Sequence, residues 1–255
     1  MIPEPCPDRV VNAVTGKDAL TFLQGLVSND LRPLTEEDGL VWTGLLTPQG
    51  KYLADFFVGR LKGQLFLDLP AIIAAPTLAR LSMYKLRADV QFVRLDWPVG
   101  RGLGGGPADS MADPRHPALG WRSYGLTTGE NLTDWDALRV AHVIPETGTE
   151  LIANDSYLLE CGFERLNGVD FRKGCYVGQE VTARMKHKTE LRKGLVQVRI
   201  SGAAAVGTPI TAMGKEVGSL FTQSGGRAIA YLRYDRALGA MQAGGATVEW
   251  DGAEV

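Results

Sequence analysis

The apolar positions change period along the chain, and each change marks an element. Ala19, Phe22, Leu23 and Leu26 recur at helical spacing behind Thr15 and Asp18, which read as a capping box. The pattern predicts an amphipathic helix over 16–26 that ends at Ser28-Asn29-Asp30. From Leu40 to Leu69 the apolar residues gather into short runs, 41–46, 52–58 and 64–69, divided by Thr47-Pro48-Gln49-Gly50 and Lys62-Gly63, which predicts an antiparallel meander. Pro76 to Leu86 predicts a helix with Leu78, Leu81 and Tyr84 inward, and 89–95 a further strand. Residues 98–131, centred on Gly102-Leu103-Gly104-Gly105-Gly106-Pro107, read as a loop or an edge excursion. Their G-x-G element lacks the Lys-Ser/Thr and the helix start of a phosphate cradle. Asp134 to Val143 predicts another helix, and 145–170 reads as irregular. Beyond Gly194, short strands over 195–200, 217–222 and 228–231 alternate with glycines at the spacing of a small barrel. The fold class is α+β with a β domain at the C-terminal end, and the domains are expected over 1–190 and 191–255.

Composition narrows the class. A chain of 255 residues with 45% hydrophobic content can form one large domain or two modest ones with real cores. A net charge of −2 excludes nucleic-acid binding by bulk positive charge and leaves only a local basic patch. Met1 to Asp8 holds two acids and three prolines, without the apolar core of a secretory signal or the arginines of a transit peptide. No stretch reaches the roughly 18 apolar residues of a membrane span. A bacterial cytoplasmic location with no membrane partner is therefore expected. Cys6, Cys161 and Cys175 are odd in number and lack C-x-x-C spacing, which speaks for a reducing compartment and against a disulfide framework or zinc. Three thiols also fall short of the usual four ligands of an iron–sulfur cluster, so no resident metal is expected.

Chemistry concentrates between Arg172 and Arg184, where two glycines, a thiol, a phenol, an amide, a carboxylate and three cations share thirteen positions. Gly174 and Gly178 allow tight turns or the close approach of a ligand on either side of Cys175; the plainer reading is two ordinary turn glycines. The neighbouring cations would favour the Cys175 thiolate, the form that attacks electrophiles or binds metal. A small buried hydrophobe is the alternative. Glu180 and Arg184 stand four apart and would pair on a helix beginning near Gly178. Alternatively, Glu180 would accept from the two adjacent N–H donors of a flat amidine-like edge such as that of a pterin. From Arg172 to Lys193, seven basic residues (Arg172, Lys173, Arg184, Lys186, Lys188, Arg192, Lys193) face two acids, Glu180 and Glu190. This marks either a solvated face or a site for an anionic tail, phosphate or RNA.

Lys173-Gly174-Cys175-Tyr176-Val177-Gly178-Gln179-Glu180 resembles the K-G-C-Y-x-G-Q-E signature of YgfZ-like proteins and their mitochondrial iron–sulfur assembly relatives, a branch of the aminomethyltransferase (T-protein) family. The likeness continues upstream through Asn167 to Phe171 and downstream through Val181 to Lys193. Gly16-Lys17-Asp18-Ala19, Phe22-Leu23-Gln24-Gly25, Asn29-Asp30, Thr47 to Lys51 and Tyr84 to Val90 resemble further pieces of the family, with 98–131 the weakest part. The resemblance implies two interwoven α+β lobes around a central opening that binds tetrahydrofolate, followed by a small C-terminal β-barrel. It implies a factor for the assembly, maintenance or repair of iron–sulfur proteins, including enzymes that modify tRNA, with Cys175 as its thiol. Lys173, Tyr176, Gln179, Glu180 and Arg184 would surround the cofactor. Asp55 falls on the second acid of the T-protein Asp pair, placed to meet a folate nitrogen; Ala54 replaces the first, and an outward strand residue is the plainer reading. The alternative function is a folate-dependent aminomethyl or methyl transferase using Asp55 as acid or base. Ala54, the short chain and the cysteine-centred signature weigh against it, so no independent turnover is expected. An RNA-binding module around Lys186, His187 and Lys188 is a further alternative and is not favoured. A monomer working with folate and with iron–sulfur client or assembly proteins is the resulting expectation.

Overall fold

The computed structural model describes residues 2–126, 129–188 and 191–252, with the backbone alone at Lys188. Its contacts divide the chain into two units, Met1–Leu132 with Glu164–Val181, and Thr133–Phe163 with Thr182–Val255.

In chain order the first unit holds β1 (Glu4–Pro5), β2 (Arg9–Thr15), α1 (Ala19–Gln24), β3 (Gly39–Leu46), β4 (Tyr52–Leu61), β5 (Gln64–Pro70), α2 (Ala71–Tyr84), β6 (Gln91–Leu95), β7 (Val99–Gly102), β8 (Met111–Ala112) and β9 (Trp121–Tyr124). The expected meander is present as β3, β4 and β5, with Val41 opposite Val58 and Val58 opposite Leu67. β2 and β6 extend it to a five-stranded sheet ordered β3-β4-β5-β2-β6. Side chains alternate across a strand. Ala54, Phe56 and Val58 of β4 therefore share one face, where they pack with Leu67, Leu69, Leu23 of α1 and Leu81 of α2. From the other face Val11 and Phe66 meet Cys6, Val99 and Tyr124.

Three local expectations fail. Within 98–131 the described residues are not all loop, because β7, β9 and β8 pair antiparallel and β1 joins β7 in a second sheet ordered β1-β7-β9-β8. A Cβ at Gly100 would strike the Pro3 ring and one at Gly102 the Trp121 ring, so glycine here serves close packing within a sheet. The capping box is not formed either: the Asp18 carboxylate accepts the Asp89 N–H at 2.8 Å, and α1 spans only Ala19–Gln24. Finally, α2 starts at Ala71 and carries Pro76 inside it, on its exposed side.

The second unit holds α3 (Trp135–His142), and α4 (Gln179–Lys188) begins in the first unit and ends in the second. Asp134 caps α3 by accepting the Ala137 N–H at 2.8 Å. β10 (Lys193–Ser201), β11 (Pro209–Ala212), β12 (Lys215–Ser224), β13 (Arg227–Arg233), β14 (Met241–Ala243) and β15 (Ala246–Glu249) close a barrel in the order β10-β13-β12-β11-β14-β15. Closure removes the open edges of the sheet, and Val196, Ile210, Leu220, Leu232 and Val248 fill the interior. Among the described residues no helix is long and apolar enough to cross a membrane. Nor do three or more His, Cys, Asp or Glu side chains gather there as ligands for a metal ion.

Candidate functional site

The segment before Cys175 is laid along the turn that follows α1. Ser28 is fully buried; its Oγ–H donates to the Gly168 carbonyl at 2.6 Å, and its Oγ accepts the Gly44 N–H at 2.8 Å. Asn29 Nδ2 donates to the carbonyls of Asn167 at 2.7 Å and Trp42 at 2.8 Å, and the Asp170 N–H donates to the Ser28 carbonyl at 3.1 Å. Lys173 closes this row. Its Nζ donates to the Gln24 carbonyl at 2.7 Å and to the Val27 carbonyl, at the end of α1 where helix carbonyls lack N–H partners and a cation is favoured. The same ammonium lies 4.8 Å from the centre of the Tyr176 ring. Burial pushes the Lys173 amine down to about 8, against the opposing pull of Asp30 and Asp170.

The far side of the loop is anchored on the 47–50 hairpin. Gly178 has φ +83°, and a Cβ on it would lie 2.5 Å from the Thr47 carbonyl oxygen and 2.9 Å from Leu46 Cβ. Gln179 Oε1 accepts the Tyr176 N–H at 3.2 Å where α4 begins. Gly174, in contrast, faces open space, so the two glycines that flank Cys175 have different duties. Between the anchors Cys175 is exposed, and the alternative of a small buried hydrophobe does not hold for it. It does hold for Cys6 and Cys161, whose thiols burial pushes up, Cys161 to about 12. Tyr176 and Gln179 are half-buried, and Glu180 is exposed and makes no ion pair among the described residues. Arg184, Lys186 and His187 are exposed on α4, whereas Glu190 and the side chain of Lys188 lie outside the described residues.

Asp55 is not an outward strand residue. It is 6% exposed on β4, its Oδ1 accepts the Tyr52 hydroxyl and its Oδ2 the Trp42 Nε1–H, each at 2.8 Å. Alternation places Phe57 on the same face, and the Arg122, Arg115 and Arg9 guanidinium carbons lie 4.5, 5.0 and 5.4 Å from the centre of its ring. Asp68 accepts from Arg9 at 2.7 Å, Arg122 at 3.0 Å and Tyr124 at 2.8 Å, and Asp113 accepts from Arg115 at 2.8 Å. Burial opposes ionisation of both carboxyls, and the arginines outweigh it and hold both below the usual range. Sequence reasoning missed this layer. Its signal was an acid set inside an apolar run, Phe66-Leu67-Asp68-Leu69.

Beside the row formed by Ser28 and Asn29 opens a cleft of about 440 Å³, lined among others by Asn29, Glu164, Asn167, Asp170, Phe171 and Arg172. Its volume suits a small organic ligand.

Residues 192–254 match the family model of the CAF17 C-terminal β-barrel domain. The chain is also similar in sequence to curated proteins named iron–sulfur cluster assembly factor IBA57. It is 31% identical to the homolog of Mycosarcoma maydis over 74% of this chain and 55% of that protein. It is 32% identical to the homolog of Neurospora crassa over 72% and 50%, and 29% identical to the human protein over 91% and 77%. In sequence, this chain is IBA57-like. It spans about half the length of the first of these curated relatives. In structure it is similar to the crystal structure of glycine cleavage system aminomethyltransferase T from Bartonella henselae, with a TM-score of 0.73 and 14% identity over 96% of this chain and 84% of that one. At that identity the likeness is one of fold. The expected T-protein-like α+β architecture with a C-terminal β-barrel is thus found. The expected bacterial cytoplasmic location is overturned, because the IBA57 relatives are named mitochondrial. That expectation drew on the first residues of the chain, and in a chain that spans part of its relatives those residues do not report on a leader.

Proposed function

We propose that this protein is an accessory factor for the assembly, maintenance or repair of iron–sulfur proteins, that it binds a reduced folate such as tetrahydrofolate, and that Cys175 is its working thiol. The observation that carries the reading is an exposed Cys175 on a loop anchored at both ends, in a chain whose relatives are named for iron–sulfur cluster assembly. A thiol held in place meets a partner's sulfur or metal without a further entropic cost of ordering the loop. Enzymes that modify tRNA are among the clients in this reading, and the protein acts as a monomer.

Folate fits two exposed groups, Glu180 and Arg184, that make no ion pair among the described residues. The exposed Glu180 carboxylate matches the paired N–H donors of a pterin edge, and Arg184 suits the anionic glutamate tail. Tyr176 and Gln179 border the loop, while Lys173 is already committed to two backbone carbonyls. When bound, folate would supply a one-carbon carrier. The transferase alternative draws no support from Asp55, whose carboxylate oxygens are both engaged by Trp42 and Tyr52.

Fluorescence titration of the purified protein with tetrahydrofolate tests the folate part. Saturable binding is expected, weakened by roughly tenfold in Glu180→Gln, the loss of about one charged hydrogen bond; no saturable binding by the wild type removes folate from the reading. In cells, Cys175→Ala is expected to lower [4Fe–4S] enzyme activities at an unchanged level of the protein. Undiminished activities remove the thiol.

A further inference from the structure

We propose that Lys173 is a positioning residue of the Cys175 loop, fastening it to the C-terminal end of α1, and is not a ligand of the cofactor. The inference rests on the reading of Cys175 as the working thiol. Lys173 is 8% exposed, and its Nζ is engaged by the Gln24 and Val27 carbonyls and by the Tyr176 ring. Two residues of chain span at most about 7 Å, so a fixed Lys173 confines Cys175 to a small volume. Gly178 fixes the chain three residues further on, and the thiol therefore sits in the middle of a short bridge between two anchors.

The dock beneath the lysine is itself ordered. Gln24, whose carbonyl accepts from Lys173, uses its side chain to hold the next turn: Nε2 donates to Asp30 Oδ1 at 2.9 Å and Oε1 accepts the Leu31 N–H at 2.7 Å. The charged groups that act on the ammonium are Asp30 and Asp170, which support its charge, and Arg32, which opposes it. Desolvation outweighs them and draws the amine down to about 8. A lysine whose folded value lies below its unfolded value of about 10.4 favours the unfolded chain when protonated. Between about 8 and about 10.4 the folded chain binds fewer protons at Lys173 than the unfolded one, so its contribution to stability rises with pH across that interval.

The test is hydrogen exchange and Cys175 alkylation on the full chain, neither of which needs folate or a client. In Lys173→Met, amide exchange over 173–178 is expected to accelerate at least tenfold and the Cys175 alkylation rate to change severalfold, with barrel amides between Lys193 and Glu249 unchanged. Lys173→Arg, which keeps a cation and donors, is expected to return both values toward wild type. Unchanged loop exchange in Lys173→Met overturns the proposal, as does a fall in tetrahydrofolate affinity with the loop still protected, which would make Lys173 a ligand. Should Lys173→Met not fold, hydrogen exchange of the wild type decides: the amides of 173–178 are expected to exchange at least tenfold more slowly than in an unstructured chain, and unprotected amides there overturn the proposal. A wild type that fails to bind folate sinks that part of the functional reading and leaves these readouts untouched.

Discussion

Adding one methyl group at Gly178 and one at Gly174 separates the anchor of the Cys175 loop from its exposed span. At Gly178 an alanine must adopt φ +83°, which costs about 1–2 kcal/mol for a residue with a Cβ. The new Cβ would also lie 2.5 Å from the Thr47 carbonyl oxygen and 2.9 Å from Leu46 Cβ. Neither is the tip of a flexible side chain, so the hairpin or the loop must move, at a further ~1–3 kcal/mol. The sum is a loss of about 2–5 kcal/mol in the first unit. Gly174→Ala meets nothing within 4 Å and is expected within about 0.5 kcal/mol of wild type. Urea unfolding followed by tryptophan fluorescence, with Trp42, Trp97 and Trp121 reporting on the first unit, measures both. Alkylation of Cys175 under native conditions should change in Gly178→Ala and stay at the wild-type rate in Gly174→Ala. Equal stabilities for the two variants would refute the anchor.

Asp68→Asn breaks a buried ion cluster and is expected to cost about 3–5 kcal/mol at pH 7, since Arg9 and Arg122 lose their buried carboxylate. The folded carboxyl titrates below its unfolded value of about 3.9, so its contribution is present above that value and is lost as pH falls through the lower folded one. The gap between wild type and Asp68→Asn in urea midpoint should therefore narrow below about pH 4; a gap constant from pH 7 to pH 3 contradicts the assignment. In the barrel, Met213 and Gly214 turn the β11–β12 hairpin with φ +49° and +74°, and Met213 is 90% exposed. Met213→Asn suits that left-handed turn and is expected to raise stability by ~0.5–1 kcal/mol, read as a higher thermal midpoint.

What the chain disclosed about itself depended on the range over which its partners act. The meander of β3, β4 and β5 and the longer barrel strands β10, β12 and β13 were legible because apolar runs between turn residues carry their own register, whereas β11, β14 and β15, of three or four residues each, were not. The Cys175 loop was legible from density alone, a thiol among cations and glycines. Its dock was not, since Ser28 and Asn29 read as a helix stop until Gly168 and Asn167, some 140 residues away, supply their partners. Asp18 failed as a cap for the same reason, its carboxylate turning to the Asp89 N–H.

The plainer reading of Asp55, an outward strand residue, fails because another reading failed first. Alternation along β4 fixes which residues share its face, but whether that face meets water depends on what covers it. The strands that cover it are two to four residues long, in a glycine-rich stretch whose composition argued for a loop. Once β9 delivers Arg122, and the chain between β8 and β9 delivers Asp113 and Arg115, to the side of the sheet that carries Phe57 and Asp68, an acid there is enclosed. Asp55 then needs donors of its own, and Trp42 and Tyr52 provide them. A carboxylate so held is part of the packing between two sheets, whereas Cys175 and Glu180 are left exposed.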